Sequence, residues 1–154
     1  MKAVIIMGSK SDLDYCRKIA GKLSEFGVES VLRIASAHKT PEKVLEILRE
    51  YEDEDVVFVT VAGRSNALSG FVDANTVNPV IASPPYSDRF AGMDILSSIR
   101  MPSGVAPLLV MEAENTALAV AKIAALTDER VREKVKDYQN RKKGEIYKAD
   151  EELR

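Results

Sequence analysis

Five short apolar runs recur along the chain, and they constrain its fold more than any other feature. They read "AVIIM" at 3–7, "SVLRIA" at 30–35, "VVFVTV" at 56–61, "PVIAS" at 79–83 and "PLLVM" at 107–111. Each is rich in β-branched residues and nearly continuous rather than alternating, the pattern of a strand covered on both faces. Helical patterns lie between them. The chain therefore reads as an α/β protein, an open, doubly wound parallel sheet with a helical layer on each side. Its 154 residues fit a single domain over 1–154 and bury enough surface to need neither disulfides nor a structural metal.

The first helix is expected from Ser11 to Phe26, with Leu13, Cys16, Ile19, Ala20 and Leu23 on one face and Gly27 as its stop. Cys16, the only cysteine, is then a core residue, and a single thiol excludes a disulfide framework and a Cys-rich zinc site. In "TPEK" Thr40 reads as an N-cap and Pro41 as the first helical residue, ahead of a stripe of Val44, Leu45, Leu48 and Tyr51. A further helix over 114–126 is apolar on most of its circumference. The segment 127–154 is a charged helical extension with Val131, Val135, Tyr138, Ile146 and Leu153 along one stripe. That stripe is too sparse for an intramolecular core, so the helix is expected to pack on a neighbouring subunit.

A net charge of −2 with 22 Lys+Arg and 24 Asp+Glu argues against nucleic acid or a membrane surface as partner and for a small molecule. With no signal-peptide pattern and no bilayer-length apolar run, the expected location is the cytoplasm.

In open α/β sheets ligands bind beyond the carboxyl ends of the strands. Four loops are expected there. The first, Gly8 to Asp12, offers Ser9, Ser11 and a helix N-terminus to a phosphate, and Asp12 to sugar hydroxyls; the same letters also spell an ordinary turn and cap. The second places Ser36, the chain's only histidine, His38, and Lys39 between a strand and a helix. A lone histidine is commonly structural, but this position, beside a cation and without a second histidine for a metal, favours proton transfer. The third, "AGRSNALSG" at 62–70, has glycines at both ends for close backbone approach, with Ser65 and Asn66 able to bond a heterocycle or a carboxylate; alternatively, Ser65 is a plain N-cap. The fourth, 83–94, is stiffened by Pro84 and Pro85 and turns at Gly92, as a wall or lid would.

Taken in order and spacing, "MGSKSD", "SAHKTP", "AGRSNALSG" and "SSIRMPSG" resemble the phosphoribosylaminoimidazole carboxylase family of purine biosynthesis, over Lys2 to Leu126. That family has two branches: a mutase that moves a carboxylate from the substrate's exocyclic nitrogen, and an enzyme that adds carbon dioxide directly to aminoimidazole ribonucleotide. The mutase loop usually reads Gly-Gly-Ala-Ala-His-Leu-Pro-Gly, and its second loop carries arginine after the histidine. This chain has Gly63-Arg64-Ser65-Asn66-Ala67-Leu68-Ser69-Gly70 and Lys39, both similar to the direct branch.

The resemblance implies a flavodoxin-like fold, a homo-oligomer, often an octamer, with sites between subunits, and chemistry without ATP, biotin or metal. It implies that Gly8, Ser9, Ser11, Asp12 and Lys39 hold the phosphoribosyl part. Ser36, Gly63, Ser65, Asn66 and Ala67 would line the ring and carboxyl pocket, and His38 would handle the proton. The alternatives are the mutase and a non-catalytic nucleotide-binding module on the same fold.

Overall fold

The computed structural model describes all 154 residues, Met1–Arg154. Strands β1 (Lys2–Met7), β2 (Glu29–Ile34), β3 (Val56–Val61), β4 (Val80–Ala82) and β5 (Leu108–Leu109) form one parallel sheet in the order β2-β1-β3-β4-β5. This is the flavodoxin-like order, which reverses direction between β1 and β3. Met7 pairs with Ile34 on one side and Val61 on the other, so three strands end flush at one edge.

Alternate residues of each strand feed opposite layers. Ala3, Ile5, Met7, Val57, Val59 and Val61 pack with helices α1 (Leu13–Phe26), α5 (Ala113–Ala124) and α6 (Glu129–Glu151). Val4, Ile6, Val56 and Phe58 face the other way, against α2 (Pro41–Glu50) and α3 (Ala67–Asp73). A short helix α4 (Leu96–Ile99) follows a kinked 3-10 segment, Arg89–Ile95.

Helix α1 begins at Leu13, after a 3-10 turn over Lys10–Asp12, rather than at Ser11. It ends at Gly27, whose φ of 78° lets Val28 N–H reach back to the Leu23 carbonyl at 2.9 Å. Cys16 lies in the core, and burial, then the charge of Asp12, pushes its thiol up to about 12, which leaves it inert.

Three further expectations are corrected. Thr40 does not cap α2; its hydroxyl accepts from Ser36 N–H at 3.0 Å and so closes the loop that precedes the helix. Ile47, not the half-buried Leu45, belongs to the α2 core stripe. Strand β2 is an edge strand, and Ile34 is half exposed, so only its neighbours are covered on both faces.

Helix α6 departs furthest from expectation. Val131, Val135 and Tyr138 are buried in this chain's own core, with the Tyr138 and Phe26 rings edge to face at 5.3 Å. Three apolar residues at i, i+4 and i+7 suffice because the groove between α1 and α5 receives all of them. Only Ile146 and Leu153, 71% and 89% exposed, lie beyond the domain.

Candidate functional site

The first three loops sit on adjacent strands at the point where the sheet order reverses. Gly8 N–H donates to the Val61 carbonyl at 2.9 Å, and Ala35 N–H to the Met7 carbonyl at 3.0 Å, so the bases of the loops are tied to one another. The Gly8 Cα approaches Ala62 closely enough that an added Cβ would lie 3.6 Å from the Ala62 Cβ.

In the first loop the Ser9 hydroxyl accepts from Ser11 N–H at 3.2 Å and pairs with the Ser11 hydroxyl at 3.0 Å, making Ser9 the cap of the 3-10 turn. Both serines are exposed. Asp12 is half-buried, and burial alone holds its carboxyl above the usual carboxylate range.

Ser36 organises the second loop. Its carbonyl accepts from Thr40 N–H at 2.8 Å, and its hydroxyl accepts from Lys39 N–H at 3.3 Å. The turn between them exposes His38 and Lys39 at the carboxyl edge of β2. The imidazole on this turn is open to a ligand.

The third loop divides. Gly63, Ser65 and Ala67 lie at or near the surface, whereas the Asn66 side chain turns inward. Its amide nitrogen donates to Ser69 Oγ at 2.8 Å and Ser98 Oγ at 2.9 Å, and its oxygen accepts from Ser69 N–H at 3.1 Å. Asn66, not Ser65, therefore caps α3, and its side chain is occupied within the protein. Arg64 adopts φ 60°, a left-handed conformation that non-glycine residues seldom hold.

Beside this loop lies a cavity of about 320 Å³, walled by Ala62, Gly63, Pro84, Pro85, Tyr86 and Asp88 and, across the opening, by Asp94 and Met111. Of the residues singled out from sequence, it takes Gly63 and, from the fourth loop, Pro84, Pro85 and Gly92. The others stand along an open edge, so one chain by itself does not gather them into a closed pocket. Sequence reading passed over Met111 as a site residue, although the rule that loops follow strand ends extends equally to the residues after β5. No group of three or more His, Cys, Asp or Glu side chains is arranged to hold a metal ion, and no helix is long and apolar enough to cross a membrane.

A family model described as AIR carboxylase matches residues 2–145. The chain belongs to the AIR carboxylase family. It is 80% identical over 154 residues to a phosphoribosylaminoimidazole carboxylase of Archaeoglobus fulgidus, covering 100% of this chain and 86% of that one. It is also 41% identical over 153 residues to an N5-carboxyaminoimidazole ribonucleotide mutase of Methanocaldococcus jannaschii, covering 97% of this chain and 96% of that one. The crystal structure of Treponema denticola PurE superposes with a TM-score of 0.96 at 49% identity, over 99% of this chain and 98% of that one. Relatives with both activity names thus match this chain over nearly its whole length.

Proposed function

We propose that this protein carboxylates aminoimidazole ribonucleotide directly with carbon dioxide, and reverses that reaction, in purine biosynthesis in the cytoplasm. One observation carries the choice between the two activities: the chain's only imidazole, His38, stands at the carboxyl edge, and the third loop offers none. The 80% identical carboxylase supports the same reading.

The ribonucleotide ring is an electron-rich enamine. Its nucleophilic carbon forms a bond to carbon dioxide, whose C=O electron pair moves onto oxygen as a carboxylate. The ring proton then passes to His38, and the ring regains its aromatic electrons. In reverse, His38 returns the proton to that carbon before carbon dioxide leaves. The chain contributes position and an imidazole as base. No ATP, biotin or metal has a part in this scheme.

Ser9, Ser11 and Lys39 would hold the phosphate at the open end, with Asp12 on the sugar. Because the edge is open in one chain, a neighbouring copy would close it. An exposed apolar strip of Tyr86, Phe90, Met93, Leu96 and Ile99 beside the cavity supports a homo-oligomer, for which we propose an octamer.

The mutase is the second reading, favoured by the Methanocaldococcus jannaschii relative. Supplying the purified protein with aminoimidazole ribonucleotide and bicarbonate, or with the N-carboxylated ribonucleotide alone, separates the two. Turnover of the first pair without ATP supports the carboxylase. Turnover restricted to the N-carboxylated compound supports the mutase.

A further inference from the structure

The segment "SSIRMPSG" at 97–104 contributes nothing to the proton transfer described above, yet it packs directly under the third loop. Gly70 of α3 lies so close to Met101 that an added Cβ would stand 3.0 Å from its sulfur. Ser98, buried in α4, accepts from the Asn66 amide at 2.9 Å. That amide also donates to Ser69 Oγ, which pairs with Thr60 Oγ1 at 2.7 Å, and Thr60 Oγ1 donates to the Ile81 carbonyl at 3.4 Å.

The direction of this chain of bonds follows from its end. A carbonyl only accepts, so the Thr60 proton goes to Ile81, the Ser69 proton goes to Thr60, and the Ser69 oxygen is left to accept from Asn66. Asn66 therefore has one amide orientation, the one in which its oxygen receives Ser69 N–H.

A second set of bonds ties the loop backbone to the same segment. Asn66 N–H donates to Ser97 Oγ at 2.9 Å, Ser97 Oγ donates to the Asp94 carbonyl at 2.7 Å, and Arg64 N–H donates to Asp94 Oδ2 at 3.3 Å. Between these anchors Arg64 is held at φ 60°. A non-glycine residue keeps that conformation where surrounding contacts over-determine it. The N–H groups of Gly63 and Ser65, on either side of Arg64, have no acceptor within the chain.

We infer that Ser98 and Asn66 are positioning residues, which hold the Gly63–Ser65 backbone so that its two free N–H groups meet the oxygens of the carboxyl group being transferred. The inference rests on the carboxylation proposed above. Backbone donors fixed in advance suit the charge that develops on oxygen as carbon dioxide becomes carboxylate. The side chain of Asn66 does not touch the substrate; it acts through the loop.

The test uses the full chain with Ser98→Ala, Asn66→Ala and the double substitution, with Ser97→Ala as a further variant should the buried changes prevent folding. Carboxylation rates are taken per active site titrated with bound ribonucleotide, and amide hydrogen exchange is followed without substrate. Each single variant should lose at least about tenfold in kcat with the ribonucleotide KM within about threefold, and the double variant should be no worse than the weaker single one. Exchange at Arg64, Asn66 and Ser69 should accelerate, while that of β1 and β3 stays slow. Unchanged kcat in folded Ser98→Ala or Ser97→Ala protein would overturn the positioning role. So would a much larger, multiplicative loss from Asn66→Ala, which would put that side chain on the substrate. If the wild-type protein does not carboxylate the ribonucleotide at all, the reaction itself is misassigned and the positioning role falls with it.

Discussion

Gly8 N–H donates to the Val61 carbonyl at 2.9 Å, across the gap between β1 and β3 where the strand order turns back. One bond thus fixes the start of the first loop against the start of the third. The second loop joins the same frame through Ala35 and Met7. Backbone bonds at flush strand ends hold the loops at fixed spacing, and the side chains they carry, His38 among them, remain free for a ligand.

Replacing His38 with Asn should abolish carboxylation and decarboxylation, a loss of at least about a hundredfold in kcat, while ribonucleotide affinity stays within about tenfold. His38 is exposed on its turn, so the fold should not suffer. Comparing turnover with ribonucleotide binding for the purified variant checks this; near-normal turnover would remove His38 from the proton transfer.

Asp12 couples stability to pH. Burial raises its pKa in the folded chain, so the folded state binds this proton more tightly than the unfolded state does. At neutral pH the ionised carboxyl therefore detracts from stability. Asp12→Asn should melt at a higher temperature than wild type at pH 7. The gap should narrow as pH falls through the raised value and close below the ordinary 3.8, where both states are protonated. If Asp12 meets the sugar as proposed above, the same variant should bind the ribonucleotide about tenfold more weakly, having lost a charged acceptor. Thermal melts across pH together with a binding titration test both halves.

Removing residues 141–154 should leave a folded domain, because the part of α6 that enters the core ends at Tyr138. The exposed Ile146 and Leu153 go with the deleted segment. If they meet a neighbouring copy, light scattering should report smaller particles for the shortened chain, with circular dichroism otherwise near that of the intact domain. An unchanged particle mass would place the subunit contacts elsewhere.

Legibility in the sequence followed burial. β3 matches the expected run at 56–61, and β1 differs by one residue, because both are central strands whose residues are covered on either face. At the margins the signal thins. β2 is half exposed, and of the run at 107–111 only Leu108–Leu109 pair, at the far edge of the sheet. Helix α6 misled because a three-residue stripe looks sparse along 23 residues, although it is dense within the turns that meet α1 and α5. Asn66 shows a different limit. An amide in a loop can serve a ligand or a buried hydroxyl, and the partner that decides it, Ser98, lies 32 residues away. Thr40 is similar: a hydroxyl before Pro41 suits a helix cap and a loop clamp equally well, and only the bond from Ser36 N–H tells them apart.

The most direct test of direct carboxylation starts the reaction with dissolved carbon dioxide or with bicarbonate, at equal total carbon, in the absence of carbonic anhydrase, ATP and added metal. The account predicts that carbon dioxide supports immediate formation of the ring-carboxylated ribonucleotide, that bicarbonate gives a lag, and that carbonic anhydrase abolishes the lag. Product formed from neither, with turnover only of the N-carboxylated ribonucleotide, would contradict it.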